Sequence, residues 1–276
     1  MEKSTKQQRC YFIELIAYWE GGINTTRLDQ QFSQSRQQSS GDINYYKTLA
    51  PQNLEYDASQ KIHKPTSDFS FRYISGNVDE YLHWFHTGHF LPKNQNLHSE
   101  SLIIPPRKIS PEIVRGLVGA MRQQKRIEVD YVSLNNPSRE GRVIAPHSFV
   151  NTGLRWHLRA WCEKSQDYRD FVLSRFRGTP VLESDRTEQT IEKDSAWNTQ
   201  VTIILKPDLR LSHEKSAVLE NDYQMQNGEL HVTTRGCLVQ YLLRELQVST
   251  KVLDGTPEAQ QLICVNLSDI KKWLFE

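Results

Sequence analysis

The chain of 276 residues has only four cysteines, Cys10, Cys162, Cys237 and Cys264, far apart and with no CxxC pair. That spacing supports neither a disulfide framework nor a thiolate zinc site, and it favours reduced thiols in a cytoplasmic protein. No apolar run approaches the roughly 18 residues of a membrane span, and Met1-Glu2-Lys3-Ser4 shows no apolar stretch, so neither a membrane helix nor a signal peptide is expected. Also missing are GxxxxGK[ST], GxSxG, HExxH and GxGxxG, which excludes the usual phosphate loop, nucleophile elbow and zinc-protease helix. His83, His86 and His89 recur at intervals of three, but no carboxylate or cysteine joins them at ligand spacing. The expectation is therefore a protein that is not an enzyme, with no cofactor and no metal.

What the chain does have is arginine in its middle third. Residues 107–190 hold 15 Lys+Arg, twelve of them Arg, against 10 Asp+Glu, a balance of +5. Residues 191–276 hold 9 against 12, and residues 1–106 hold 10 against 11. Anions are drawn to the middle segment, although a solvated arginine-rich surface has the same count.

Along the chain, residues 7–19 place Cys10, Phe12, Ile13, Ile16 and Ala17 at helical spacing, and Gly21-Gly22 stop the helix. Asn24 or Thr25 caps a second helix to about Ser33, and Ser35 caps a third from Arg36 to about Leu49, before Ala50-Pro51. Two short extended runs around Asp57-Ala58-Ser59-Gln60 complete a winged helix-turn-helix pattern. A short helix over 78–90, a Pro-containing linker over 91–109 and a helix opened by Ser110-Pro111-Glu112 follow. From Arg126 the period becomes 2. Short strands over 126–131, 142–146, 154–161 and 170–176 suggest a small barrel. Strands at 201–205, 229–233 and 262–267 alternate with helices at 212–221 and 236–247, a small α+β unit.

Two groups of residues carry the chemistry. In a winged helix the third helix enters the major groove. Here its first turns are Ser35, Arg36, Gln37, Gln38, Ser39 and Ser40. Arginine reads guanine and glutamine reads adenine bidentately, and hydroxyls position phosphates. Thr25, Tyr45 and Lys47 extend that surface, and Lys61, His63 and Lys64 lie where a wing brushes the backbone. The first 73 residues carry only 9 positive against 8 negative charges, which is weak for one DNA-binding unit, and a dimer doubles the contacts. The second group is Arg142, Arg169 and Arg175, from separate strand edges, with Tyr131, Trp156 and His157 beside them. Arg169 and Arg175, six apart, fall on one face of a continuous strand. Arginine forks with aromatic faces suit a nucleotide or a single strand; the alternatives are core packing for Trp156 and ion pairs to Asp130, Asp167 or Asp170 for the arginines.

Taken together, SRQQSSGDINYYKTLAPQNLEYD, IEVDYVSL, GRVIAPHSFV, RWHLRAWC, YRDFVLSRF and the segment VTIILKPDLRLSHEKSAVLENDYQMQNGELHVTTRGCLVQYLLREL resemble WYL-domain transcription regulators. The subgroup is similar to the BrxR/CapW-like repressors beside phage-defence operons. The resemblance implies an α+β multidomain chain: an N-terminal winged helix-turn-helix over 1–92, a linker and connecting helix over 93–124, a central Sm/SH3-like β barrel, the WYL domain, over 125–190, and a C-terminal α+β, WCX-like dimerisation domain over 191–276. It implies a homodimeric repressor on an inverted repeat in double-stranded DNA at its own promoter. Release would come from an anionic ligand, a nucleotide or nucleic-acid fragment, held by Tyr131, Arg142, His147, His157, Arg169 and Arg175. His157 stands where the family has Tyr, which implies binding that responds to pH near the histidine value of ~6.5. Two other readings stay open, an RNA or single-strand binding effector and a metabolite-sensing regulatory subunit.

Overall fold

The computed structural model describes residues 5–89, 105, 107–250 and 256–275. Helix α1 (Lys6–Glu20) begins at Thr5, whose hydroxyl accepts from the Gln8 N–H while the Gln8 side chain accepts from the Thr5 N–H. It ends at Gly21, whose φ of 85° is a left-handed cap that glycine adopts without strain. Its inner face buries Phe12, Ile13, Leu15, Ile16 and Trp19, each contributing about 1.5–3 kcal/mol of transfer free energy. Asn24 caps α2 (Thr25–Phe32) and Ser35 caps α3 (Arg36–Leu49), as their sequences predict. Strands β1 (Leu54–Asp57) and β2 (Ile62–Pro65) pair antiparallel as the wing, and α4 (Val78–Thr87) closes the unit at Gly88. Most of the expected 91–109 linker lies outside the described residues.

Helix α5 (Pro111–Gln123), capped by Ser110, is a packed element with Ile113, Val114, Leu117, Val118 and Ala120 buried. The Arg115 Nε–H donates to the Tyr18 carbonyl at 2.8 Å, and Arg122 pairs with Glu20 at 2.6 Å. One apolar core therefore runs from α1 through α5 into the central sheet.

That sheet is antiparallel and five-stranded: β3 (Lys125–Tyr131), β4 (Glu140–Asn151), β5 (Trp156–Cys162), β6 (Asp167–Val172) and β7 (Phe176–Arg186), in the order β6-β5-β4-β3-β7. Among the described residues no ladder joins edge strand β6 to edge strand β7, so the expected closed barrel is here an open sheet. A second correction concerns 170–176. A 3₁₀ turn at Leu173–Arg175 interrupts this stretch, and β7 then runs back along β3. Arg169 and Arg175 therefore do not share a strand. Strand β4 is longer than expected and carries an irregularity between Pro146 and Ser148, where proline has no N–H for the ladder.

Asp194 caps the short helix α6 (Ser195–Asn198). Strand β8 (Gln200–Pro207) is central in a three-stranded antiparallel sheet, with β9 (Leu230–Arg235) on one side and β10 (Leu262–Cys264) on the other. Helix α7 (His213–Asp222) and helix α8 (Val239–Glu245) accompany it, and Val201, Ile203, Leu205, Val239 and Leu243 form a second core. No helix among the described residues is long and apolar enough to cross a membrane.

Candidate nucleic-acid interface and anion pocket

Helix α3 divides cleanly by period. Ser39, Asp42, Ile43 and Tyr46 face inward, whereas Arg36, Gln37, Gln38, Ser40, Gly41, Asn44 and Tyr45 are exposed. Ser39, expected to touch DNA, is instead fully buried: its hydroxyl bonds to Asp29 and it accepts from Gln34 Nε2 at 2.9 Å. Arg9 and Gln34 both donate to Asp42, at 2.7 and 3.0 Å, so a polar network beneath α3 fixes its orientation. Two residues join the exposed face that the sequence reading did not name. Asn44 follows Gln37 by seven and Ser40 by four, the helical repeat that would have revealed it. Lys6 comes from α1 and stands over the Tyr45 ring at 3.6 Å; only tertiary packing shows it. Thr25 is half-buried in the first turn of α2, and Lys47 is half-buried in the last turn of α3. On the wing, Lys61 is exposed at the turn, but Lys64 is engaged with Asp57 at 2.6 Å.

Gly41 sits at the centre of the exposed face. A Cβ built there meets nothing within 4 Å, and its φ is not in the left-handed region. Alanine would fit and would favour the helix by about 0.5–1 kcal/mol, so nothing among the described residues calls for glycine.

The unit is held from behind by Glu14, which is fully buried. One carboxylate oxygen accepts from the backbone N–H groups of Arg72, Tyr73 and Ile74 at 2.8, 2.8 and 3.1 Å, and the other from the Tyr46 hydroxyl at 2.7 Å. Charge-assisted bonds of this kind are about twice as strong as neutral ones, and these join α1, α3 and the segment after the wing.

The second site lies where three parts of the chain meet. Arg107, from the segment before α5, Arg155, just before β5, and Arg175, in the 3₁₀ turn, lie within each other's electrostatic reach. Burial, then the charges of Arg175 and Arg107, lower the Arg155 pKa. Among the described residues no ion pair offsets any of the three. His157 is 2% exposed, and its Nδ1 has no hydrogen-bond partner. Burial first, and then Arg155, Arg175 and Arg107, push its pKa down to about 4. The expectation of a histidine titrating near ~6.5 is thereby corrected: the ring is neutral at pH 7 because it is buried, and the neighbouring cations add to that effect. A cavity of about 220 Å³ opens here, lined by Arg107, Arg155, Trp156 and Ser174 and, from α4, Asp79 and His83. An adjoining recess shares Arg107 and Ser174 and adds Lys108 and Arg177. From the C-terminal unit the Tyr241 ring packs 5.0 Å from His157, and its hydroxyl donates to Asp170 at 3.2 Å.

Of the six residues expected to hold a ligand, the fold brings His157 and Arg175 into this cluster. Tyr131 borders it from the core, its ring against Phe171 and Phe176 and its hydroxyl accepting from the Val172 N–H at 3.0 Å. The other three lie elsewhere. Arg142 pairs with Glu140 at 3.3 Å, Arg169 is exposed and pairs with Asp167 at 3.3 Å, and His147 lies 3.2 Å from Asp194. His147 belongs to a buried lock between the central sheet and the C-terminal unit. In that lock Arg159 grips Asp194 with Nε and Nη2 at 2.6 and 3.0 Å, and reaches Asp170 with Nη1 at 3.0 Å. Burial alone would raise the Asp194 pKa, but His147 and Arg159 hold it well below the carboxylate range. For Asp170 the effect of burial outweighs that of Arg159, and its pKa is raised.

Comparison with known proteins finds three matched segments. A BrxR transcriptional regulator winged helix-turn-helix domain matches residues 5–87, a WYL domain 112–181 and a BrxR transcriptional regulator C-terminal dimerization domain 200–270. Over 274 residues the chain is 33% identical to a DNA-binding transcriptional repressor CapW of Escherichia coli (strain KTE188), covering 96% of this chain and 90% of that one. It is 34% identical to a protein of the same name from Pseudomonas aeruginosa, covering 96% and 91%. The chain belongs to the CapW family. A relative of that name from Stenotrophomonas maltophilia, 30% identical over 98% of this chain and 93% of that one, extends the family. The exposed face of α3 falls in the matched winged helix, and Arg155, His157 and Arg175 fall in the matched WYL domain.

Proposed function

We propose that this chain is a homodimeric, cytoplasmic DNA-binding transcriptional repressor of a phage-defence operon, acting on an inverted repeat at its own promoter. Residues 1–92 bind DNA, 93–124 connect, 125–190 form the ligand-sensing WYL domain, with an Sm/SH3-like strand arrangement, and 191–276 dimerise. The reading surface is Arg36, Gln37, Gln38, Ser40, Asn44 and Tyr45, flanked by Thr25, Lys47, Lys61 and Lys64. Release follows binding of an anionic ligand, a nucleotide or nucleic-acid fragment. The observation that carries the ligand reading is the set of three uncompensated arginines around a buried histidine with an unpaired Nδ1. An anion there offsets the like-charge repulsion among the arginines and, through it, the charge that bears on His157. The cavity is lined on one side by Val78, Asp79 and His83 of the winged helix, so an occupant contacts the DNA-binding unit directly; Tyr241 of the dimerisation unit packs against His157 behind it.

The test is fluorescence anisotropy with a duplex of the chain's own upstream intergenic DNA against a scrambled duplex at two salt concentrations. Selective, salt-sensitive binding is expected, with Arg36→Ala or Gln37→Ala costing about 1–3 kcal/mol. Equal affinity for both duplexes overturns the repressor reading. If single-stranded oligonucleotides then bind in an Arg155-dependent way, the chain is a single-strand effector.

A further inference from the structure

We propose that Gly41 is the point of closest approach between α3 and the DNA, a position where helix stability is given up so that the backbone can lie against the groove. The inference rests on the reading that α3 is the groove helix. Its evidence is independent of the hydrogen-bonding side chains. Gly41 is exposed in the middle of a 14-residue helix, with ordinary helical backbone and open space where a Cβ would be. Among the described residues no turn, positive φ or neighbouring side chain requires glycine there. A glycine kept against helix propensity, with room around it, points to a partner that comes in close.

The neighbours say which partner. On the helix surface Gly41 is flanked by Gln37, Gln38, Asn44 and Tyr45, all exposed, with the Ser40 hydroxyl at the edge of the same face. Amide, hydroxyl and phenol groups match base edges and phosphates. A protein partner would be expected to meet an apolar patch, and this face offers no large aliphatic side chain. With no Cβ at the centre, α3 can seat deeply enough for Gln37 and Asn44, one turn to either side, to reach base edges together. Asn44 is thereby assigned as a third base reader beside Arg36 and Gln37.

The experiment sets stability against binding in the intact protein. Gly41→Ala should raise the melting temperature by about 1–4 °C, yet weaken binding to the upstream intergenic duplex tenfold or more. Gly119→Ala, in α5, also has open space for its Cβ; it should raise the melting temperature and leave DNA affinity unchanged. Asn44→Ala should relax base preference at one position when binding sites are selected from a random duplex library. A Gly41→Ala protein that melts higher and binds within twofold of wild type overturns the proposal. So does one that loses both stability and binding, because the glycine then packs against protein. If Arg36→Ala and Gln37→Ala also bind normally, it is the choice of α3 as groove helix that fails.

Discussion

His157 makes the acid sensitivity of this protein calculable. In the folded chain its pKa is pushed down to about 4 by burial and by Arg155, Arg175 and Arg107; in the unfolded chain it is ~6.5. Because the folded value is lower, the unfolded state binds the extra proton between these limits. His157 therefore leaves stability undiminished above pH ~6.5 and reduces it as pH falls towards 4. The loss works out at about 2 kcal/mol at pH 5 and about 3 kcal/mol at pH 4. Replacing the ring with His157→Phe removes the titration. Urea unfolding at pH 7 and pH 5 should then show the wild type losing about 2 kcal/mol more than the variant, and an NMR titration of the imidazole should show no protonation at pH 6. A ring that titrates near 6.5, or equal losses in both proteins, would refute the three-arginine environment. A bound anion reverses the balance by favouring the imidazolium, so ligand affinity should rise as pH falls from 7 to 5.

Arg155→Ala should raise the His157 pKa and lessen the acid loss while weakening binding of a nucleotide probe; calorimetry and the same NMR titration report both, and unchanged nucleotide binding would remove Arg155 from the site. Arg159→Met leaves Asp194 and Asp170 buried without their cation, which should cost about 3–5 kcal/mol in a thermal melt, and a melt within a degree of wild type would show the lock to be dispensable. Lys6→Ala should lower the slope of log affinity against log salt by about one on the upstream duplex, whereas an unchanged slope would place Lys6 away from phosphate.

The winged helix was legible because its signals are local. Ser35 caps α3 at its first residue, Asn24 caps α2, and Gly21 takes the left-handed cap of α1. Strand β7 was not legible. It is an edge strand, bonded on one side only, and so tolerates Gly178 and Pro180, which are poor strand formers. The 3₁₀ turn at 173–175 was hidden for a similar reason: Leu173 is buried like a strand residue, and only the crossing from β6 to β7 makes the chain turn there. In the C-terminal unit β8 followed its periodicity, alternating open and buried residues, whereas the strand expected over 262–267 ends at Cys264 and a helical turn begins at Leu267.

The site divides in the same way. The caps, the helical period of α3 and the excess of arginine in the middle third follow from the order of residues alone, because caps act within one turn and charge adds up without regard to fold. Which arginines stay unpaired is a different kind of fact. Arg142, Arg159 and Arg169 find carboxylates; among the described residues Arg107, Arg155 and Arg175 form no ion pair. Arg155 stands two residues before His157, a spacing that alone would have linked them, but Arg107 and Tyr241 reach the cluster from distant segments. Electrostatic pairing depends on distance in space and on exclusion of water, and both are set by packing of the connecting segment, the central sheet and the C-terminal helix. The sequence determined that an anion-seeking surface exists; only the tertiary structure decided that its centre is a buried, neutral histidine ringed by three arginines.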